Sequence, residues 1–315
     1  APVLPYGMTR ISEKLCGSCE EVCKKAAEKA CSLTEIAIEY EMKRSGHTRE
    51  QIREQMKKHL EQIKKSVVEG EKGNQMLYGL TSGHDGPRML KAIEDGKTVS
   101  GGIVPKAVAR ALGVMEYNGA MGCIVAAPTA GSSGIVPGSM VTVQQKYGFS
   151  DEKIEDALFV ASLMGVVMEN RDVSFSGSVG GCQGEVGVSS AITAAAITSL
   201  FTDDPVAITH AMAICLKNLL GLVCDPIAGP IEVPCIKRNA VGVANAFTSA
   251  DMALAGIRSY IPPDEVIDAL VDVEKRLPSE LRCATTGGLA CTATACRLRE
   301  ELEKKSNKKK TETLH

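Results

Sequence analysis

Apolar residues recur at helical spacing along most of this chain, and the alternation that a half-buried strand requires is nearly absent. Ser32-Leu33-Thr34-Glu35 carries a helix-opening pattern, a hydroxyl cap with a carboxylate three residues on, and apolar Ile36, Ile38 and Met42 follow it. Thr48 to Gln51 repeats the cap spacing, and Ile52, Met56, Leu60 and Ile63 then form one stripe among charges. Residues 1–73 are therefore expected to be a charged helical arm, and 74–315 a helical body that continues from it.

Beyond Tyr78 the texture changes. Residues 80–87 are turn formers, a short helix is expected over 88–94, and Pro105 can open another reaching about Met115. The run 122–127 is the one tempting strand, ended by Pro128. A small-residue loop over 128–138 follows, then a helix capped by Asp151 and running to Met168. Further helices are expected over 186–200, from Pro205 to 220, over 238–258, from Pro263, and over 292–305. The pattern reads as all-α, with glycine-rich loops meeting in the centre.

Composition agrees with close helix packing. There is no Trp and there are only 5 Phe and 6 Tyr, whereas β-sandwich strands favour aromatic and β-branched residues. The formal net charge is -2, so a polyanion partner is not suggested. Residues 304–310 are basic but have no interleaved aromatics, which reads as a solvated tail rather than a nucleic-acid contact. The longest apolar stretch, 186–200, is too short to span a bilayer and reads as a buried helix. The first thirty residues lack an apolar segment, so no signal peptide is expected. A start at Ala1 rather than Met is expected to reflect trimming, or added residues before Met8. Twelve cysteines without a secretory signal suit a reducing compartment, and a cytoplasmic protein is expected.

Three of those cysteines lie in segments dense with glycine and proline. One is in Gly181-Cys182-Gln183-Gly184-Glu185-Val186-Gly187; two are in Cys224-Asp225-Pro226-Ile227-Ala228-Gly229-Pro230-Ile231-Glu232-Val233-Pro234-Cys235. Thiolates on rigid loops can ligate metal, and three of them leave a fourth position open for chemistry. No C-x-x-C spacing joins them, so spacing alone leaves buried structural thiols equally open. Cys16 and Cys19 do form C-x-x-C, with Cys23 and Cys31 nearby; this is a candidate zinc or second-cluster site, or equally a helical packing stripe. His84, in a loop beside Asp85, is a candidate general base. His47, His59 and His315 are expected to face solvent, and His210 to pack within a helix. The loop from Thr129 through Ser132, Ser133 and Gly134 lacks a Gly-Lys-Ser/Thr ending, so it reads as an anion nest for a small carboxylate or as a packing turn. Lys237, Arg238 and Asn239 follow Cys235 closely enough to offset thiolate charge or hold a substrate carboxylate.

The stretches Ala126-Ala127-Pro128-Thr129-Ala130-Gly131-Ser132-Ser133-Gly134, Gly181-Cys182-Gln183-Gly184-Glu185 and Asn218-Leu219-Leu220-Gly221-Leu222-Val223-Cys224-Asp225-Pro226, with Pro234-Cys235-Ile236-Lys237-Arg238-Asn239, closely resemble the iron–sulfur-dependent L-serine dehydratases, in their alpha chain or catalytic domain. The resemblance runs from about Ser32 to Leu302. It implies an all-helical catalytic domain and a [4Fe–4S] cluster held by Cys182, Cys224 and Cys235, with one iron free of protein ligands. It implies conversion of L-serine to pyruvate and ammonia, in amino-acid degradation, without pyridoxal phosphate. Thr129, Ser132, Ser133, Gly134, Arg238 and Asn239 are, by their residue chemistry, the candidate contacts of a small amino-acid substrate, with His84 and Lys237 as candidate catalytic groups.

Two departures matter. The family's Ser-Ser-Ser-His-Thr segment, carried by a beta chain or a further domain, is not found here, so this chain is expected to be the alpha half of a two-chain enzyme or a stand-alone variant, and an oligomer is expected. Where the family has Arg-Glu-Thr before Gly-Gly-Leu-Ala, this chain has Arg282-Cys283-Ala284, a thiol in place of a carboxylate. L-cysteine desulfidation by the same cluster, and a cluster-binding subunit without catalysis, stand as the alternatives.

Overall fold

The computed structural model describes residues 16–228 and 231–312. Thirteen α-helices follow one another among the described residues. They are α1 (Cys19–Lys29), α2 (Leu33–Ser45), α3 (Arg49–Gly70), α4 (Asp85–Glu94), α5 (Val104–Gly119), α6 (Ile135–Tyr147) and α7 (Asp151–Asn170), then α8 (Gly177–Gly180), α9 (Val188–Ser199), α10 (Pro205–Lys217), α11 (Cys235–Leu254), α12 (Pro263–Arg276) and α13 (Ala293–Glu312). The fold is all-α; a single isolated bridge, Cys224 with Arg282, is the only ladder-type pairing described. No helix among the described residues is long and apolar enough to cross a membrane.

Local signals set the early helices. The Ser32 hydroxyl accepts the Glu35 N–H, and Thr48 forms a reciprocal capping box with Gln51. The Glu35 carboxylate does not complete the box at Ser32; it takes both arms of Arg49 instead, at 3.0 and 2.6 Å. Helix α2 packs on α7, and α3 on α5, α6 and α7.

The centre of the molecule is α9. All of its residues are buried, against α10, α11, α7 and α6. Its hydroxyls bond back to carbonyls one turn earlier: Ser190 to Val186 at 2.6 Å, Thr193 to Ser189 at 2.7 Å and Thr198 to Ala194 at 2.8 Å. Small polar side chains thus enter the core without leaving an orphan group.

Close crossings rest on glycine. A Cβ on Gly113 of α5 would lie 2.7 Å from the Gly70 carbonyl oxygen of α3. Gly113→Ala must push these backbones apart, and we expect it to destabilise the protein by about 2 kcal/mol. Urea unfolding with an unchanged m-value checks this.

Several expectations are corrected. Residues 122–127 form no strand, since no second strand lies beside them; the Cys123 carbonyl takes the Gln62 amide at 2.6 Å instead. The loop expected over 128–138 ends at Gly134. Helix α6 begins at Ile135 because Pro137 falls in its first turn, where a missing N–H costs nothing. Gly138 brings α6 against α5, where a Cβ would meet the Ala107 oxygen at 2.7 Å. Ser150, not Asp151, caps α7, and α4 starts at Asp85 rather than Arg88. His210 accepts the Ser259 N–H at 3.0 Å, a packing role. His59 is half-buried rather than solvent-facing, while His315 lies outside the described residues.

Candidate functional site

Three segments remote in sequence bring the family-type cysteines together, and two of the three are helical rather than looped. Cys182 sits between α8 and a wide π-helical turn, Gln183–Gly187, that leads directly into α9. Such turns widen the backbone locally and recur at functional sites. Gly181 provides the positive φ of 72° that turns the chain into it. Cys235 is the first residue of α11, its side chain packed with Met76, Leu112, Met115 and Ile236. Cys224 alone lies in extended chain, its N–H on the Leu281 carbonyl at 2.8 Å and its carbonyl taking the Cys283 N–H at 2.6 Å.

All three thiols are buried, at 1, 2 and 6% exposure for Cys182, Cys224 and Cys235. The Sγ atoms of Cys182 and Cys224 and a carboxylate oxygen of Glu185 lie within 4.8 Å of one another, close enough to hold a metal ion. Cys235 is not in that tight group, but its thiol feels the charges of Cys182, Glu185, Arg238 and Cys283. The thiols are electrically unequal. The Cys224 thiol donates to Cys182, which with the nearby Arg238 charge holds Cys182 below the usual thiol range. That same bond, then burial and the Cys283 thiol, push Cys224 up. Burial, with the charges of Cys182 and Glu185, pushes Cys235 up to about 12.

Sequence reading quoted Glu185 without giving it a role. It is the carboxylate that faces the thiols. Burial raises its pKa, against the Thr129 hydroxyl that donates to Oε1 at 2.8 Å. Gly131 and Gly177 wall it: a Cβ on Gly177 would stand 2.6 Å from Oε2 and 3.0 Å from the Cys224 sulfur. An acid three residues after a cysteine, between two glycines, is the signal the sequence offers.

Arg238 and Asn239 sit one turn into α11 and differ in use. Arg238 donates to the Val223 carbonyl at 2.7 Å, to Cys182 Sγ at 3.5 Å and to Asp225 at 2.7 Å. Its charge thus rests on the cysteine site. Asn239 uses its whole amide as a latch, donating to the Gly131 and Cys235 carbonyls at 2.9 and 2.8 Å and accepting the Gly134 N–H at 3.0 Å. Ser132 and Ser133 are fully buried and bond to carbonyls of their own loop. Within the loop, Thr129 and Gly131 are the residues in contact range of Glu185.

His84 and Lys237 are engaged elsewhere. Lys237 is exposed and pairs with Asp85 at 2.7 Å, while the His84 ring lies over Gly73 at the start of α4. Their described partners are these groups and not the thiols. Two further carboxylates that sequence reading missed hold this neighbourhood. Glu232 accepts the N–H groups of Tyr78, Leu80 and Thr81 at 2.9, 2.7 and 3.0 Å, and Glu116 those of Asp85 and Gly86 at 2.6 and 3.2 Å.

Gln183 ties the cysteine segments together. Its backbone N–H reaches the Leu222 carbonyl at 3.0 Å, and its side chain accepts from Gly221 at 2.8 Å and donates to Leu270 at 3.2 Å. Gln183→Ala orphans these buried groups, and we expect a loss of about 2 kcal/mol, read by thermal unfolding of the metal-free chain.

The N-terminal cysteines diverge. Cys16 lines a cavity of about 80 Å³ with Lys25 and Tyr40, the Cys19 N–H bonds to Asp264, and the Cys23 sulfur meets Thr209 at 3.8 Å. Among the described residues, Cys182, Glu185 and Cys224 are the one group that brings three ligand atoms together.

Comparison with known proteins matches this geometry to a family. The family model described as serine dehydratase alpha chain matches residues 28–290, which include every segment of the site. A Bacillus subtilis (strain 168) protein named a probable L-serine dehydratase alpha chain is 44% identical over 286 residues, 91% of this chain and 93% of that one. The L-serine dehydratase alpha chain of Peptoniphilus asaccharolyticus is 36% identical over 288 residues, 91% of this chain and 98% of its own length. L-serine dehydratase 2 of Escherichia coli K12 is 37% identical over 191 residues, but these are only 41% of that longer protein. With the match running unbroken through α2 to the Gly288–Cys291 turn, this chain belongs to the serine dehydratase alpha chain family.

Proposed function

We propose that this chain is the alpha chain of an L-serine dehydratase, eliminating water from L-serine to give pyruvate and ammonia. The observation that carries the proposal is the meeting of two buried thiols, Cys182 and Cys224, with the half-buried Glu185 carboxylate in a space walled by Gly131 and Gly177, with the buried Cys235 thiol feeling the charges of Cys182 and Glu185. The donor set suits an iron–sulfur cluster: soft thiolates from three segments, with a guanidinium to offset their charge. Cys182, Cys224 and Cys235 would hold it. When bound, a [4Fe–4S] cluster with one iron free of protein ligands supplies a Lewis acid for the departing hydroxyl.

The chain's own residues do the rest. Arg238, with Cys224, favours the thiolate form of Cys182, and it holds Asp225. Asn239, Ser132, Ser133 and Gly134 hold the 129–134 loop against α11, so that Thr129 aims the Glu185 carboxylate. Glu185 accepts the proton from the substrate Cα, being the base nearest the thiols. Loss of that proton and of the hydroxyl leaves aminoacrylate, which tautomerises and hydrolyses to pyruvate and ammonia. Lys237, paired with Asp85 next to His84, serves the approach of the substrate carboxylate rather than the proton transfer. A beta chain supplies the part of the enzyme that longer relatives carry in one polypeptide.

The test is anaerobic. The chain is reconstituted with iron and sulfide, alone and with a beta chain, and pyruvate is followed from L-serine. Pyruvate release that tracks iron content is the expected result. Sulfide release from L-cysteine with no turnover of serine would reassign the substrate, and no turnover of either would leave a cluster-binding subunit.

A further inference from the structure

Cys283 stands where the resemblance places a carboxylate, and the fold sets its thiol against Cys224. Two backbone hydrogen bonds clamp the segments side by side: the Cys224 N–H on the Leu281 carbonyl at 2.8 Å and the Cys283 N–H on the Cys224 carbonyl at 2.6 Å. Cys283 has a φ of 59°, in the left-handed region that non-glycine residues seldom occupy. The Cys283 thiol acts on that of Cys224, helping to raise its pKa. The clamp continues beyond Cys283, because the Asp225 carboxylate takes the Leu289 N–H at 2.8 Å while its other oxygen holds Arg238 at 2.7 Å. Neither cysteine can drift from the other without breaking these bonds. Their accessibilities are opposite: Cys224 is buried and Cys283 exposed.

We propose that Cys283 is a redox partner of Cys224, forming a reversible disulfide that closes the site when no cluster occupies it. The inference rests on the reading of Cys224 as a cluster ligand. An oxidant of the hydroperoxide class meets the exposed Cys283 thiol first. The peroxide O–O bond breaks, giving Cys283 sulfenic acid and one water, which carries off the thiol proton. The Cys224 sulfur then attacks the sulfenic sulfur, the S–O bond breaks, and the displaced hydroxide takes the Cys224 proton. In sum two thiols are oxidised to one disulfide and one hydrogen peroxide is reduced to two waters. A dithiol reverses the bond by exchange. Cys182 also faces Cys224, but it is buried and its sulfur is engaged by Arg238, so the outer thiol is the one an oxidant reaches. The disulfide removes one cluster ligand from use while sparing it irreversible oxidation.

The experiment uses the full chain stripped of iron by a chelator under reducing conditions, desalted anaerobically and given one equivalent of hydrogen peroxide. The expected result is a loss of two titratable thiols per chain, and a peptide pair in which fragmentation places the bridge between Cys224 and Cys283. The oxidised chain takes up no iron until dithiothreitol is added. In Cys283→Ser, folded as judged by circular dichroism, the same single equivalent of peroxide leaves Cys224 reduced, as alkylation after denaturation shows. A bridge between Cys182 and Cys224, or a Cys283 still open to alkylation after oxidation, overturns the proposal. Should the reduced chain also take up no iron, the cluster reading fails while the peptide map still decides the disulfide.

Discussion

Alanine at any one of Cys182, Cys224 or Cys235 is expected to remove the cluster and reduce serine turnover to background. Each sulfur comes from a different segment, and no further cysteine is buried in the same space to replace it. Cys283 is the nearest substitute, but it is exposed and tied by its backbone to Cys224. The protein should still fold, because α9 and its neighbours bury their apolar faces without help from the thiols; each exchange costs about 1 kcal/mol of packing. Iron and acid-labile sulfide analysis on anaerobically purified variants checks this directly. A full four-iron complement in any of the three variants would remove that cysteine from the ligand set. Cys16→Ala serves as the control: its thiol lines a cavity with Lys25 and Tyr40, so iron content should not change.

Glu185→Gln is expected to lower kcat for L-serine by about 100-fold to 10,000-fold while iron content stays at the wild-type level. Glutamine keeps the shape and still accepts from Thr129, whose hydroxyl otherwise donates to the carboxylate at 2.8 Å. It cannot take a proton, which is the property the proposal assigns to Glu185. Two measurements on one preparation separate the outcomes. Reduced turnover with full iron supports proton transfer. Loss of iron makes Glu185 a ligand or a support of the thiols, which its position within 4.8 Å of two sulfurs would also permit. Unchanged turnover assigns the proton to another group, and the His84, Asp85 and Lys237 cluster then becomes the next to vary.

The site illustrates which kinds of information are local. Cys182, Cys224 and Cys235 could be marked as a set from their glycine and proline surroundings together with the family resemblance, since those residues are legible one after another. That Arg238 and its neighbour Lys237 turn in different directions could not be read. Adjacent residues on a helix point about 100° apart, and only the packing of α11 decides which one meets the thiols and which meets Asp85. Nor could the sequence show that the Asn239 amide latches a loop that returns from more than a hundred residues earlier in the chain.

The sequence by itself determined the all-α class, most helix spans and their caps. Periodicity and capping act within a few residues, so they survive without tertiary knowledge. It also marked Cys182, Cys224 and Cys235 as candidate ligands, once the motifs around them were read as a whole. Tertiary structure alone decided that 122–127 is not a strand, that α6 begins at Ile135, and that Cys182 and Cys235 stand on helices. It alone brought Glu185 and Cys283 to the thiols. The reason is common to all of these: a strand needs a neighbour, and a ligand needs partners. Those partners lie far along the chain, placed by the burial of α9 among the helices around it.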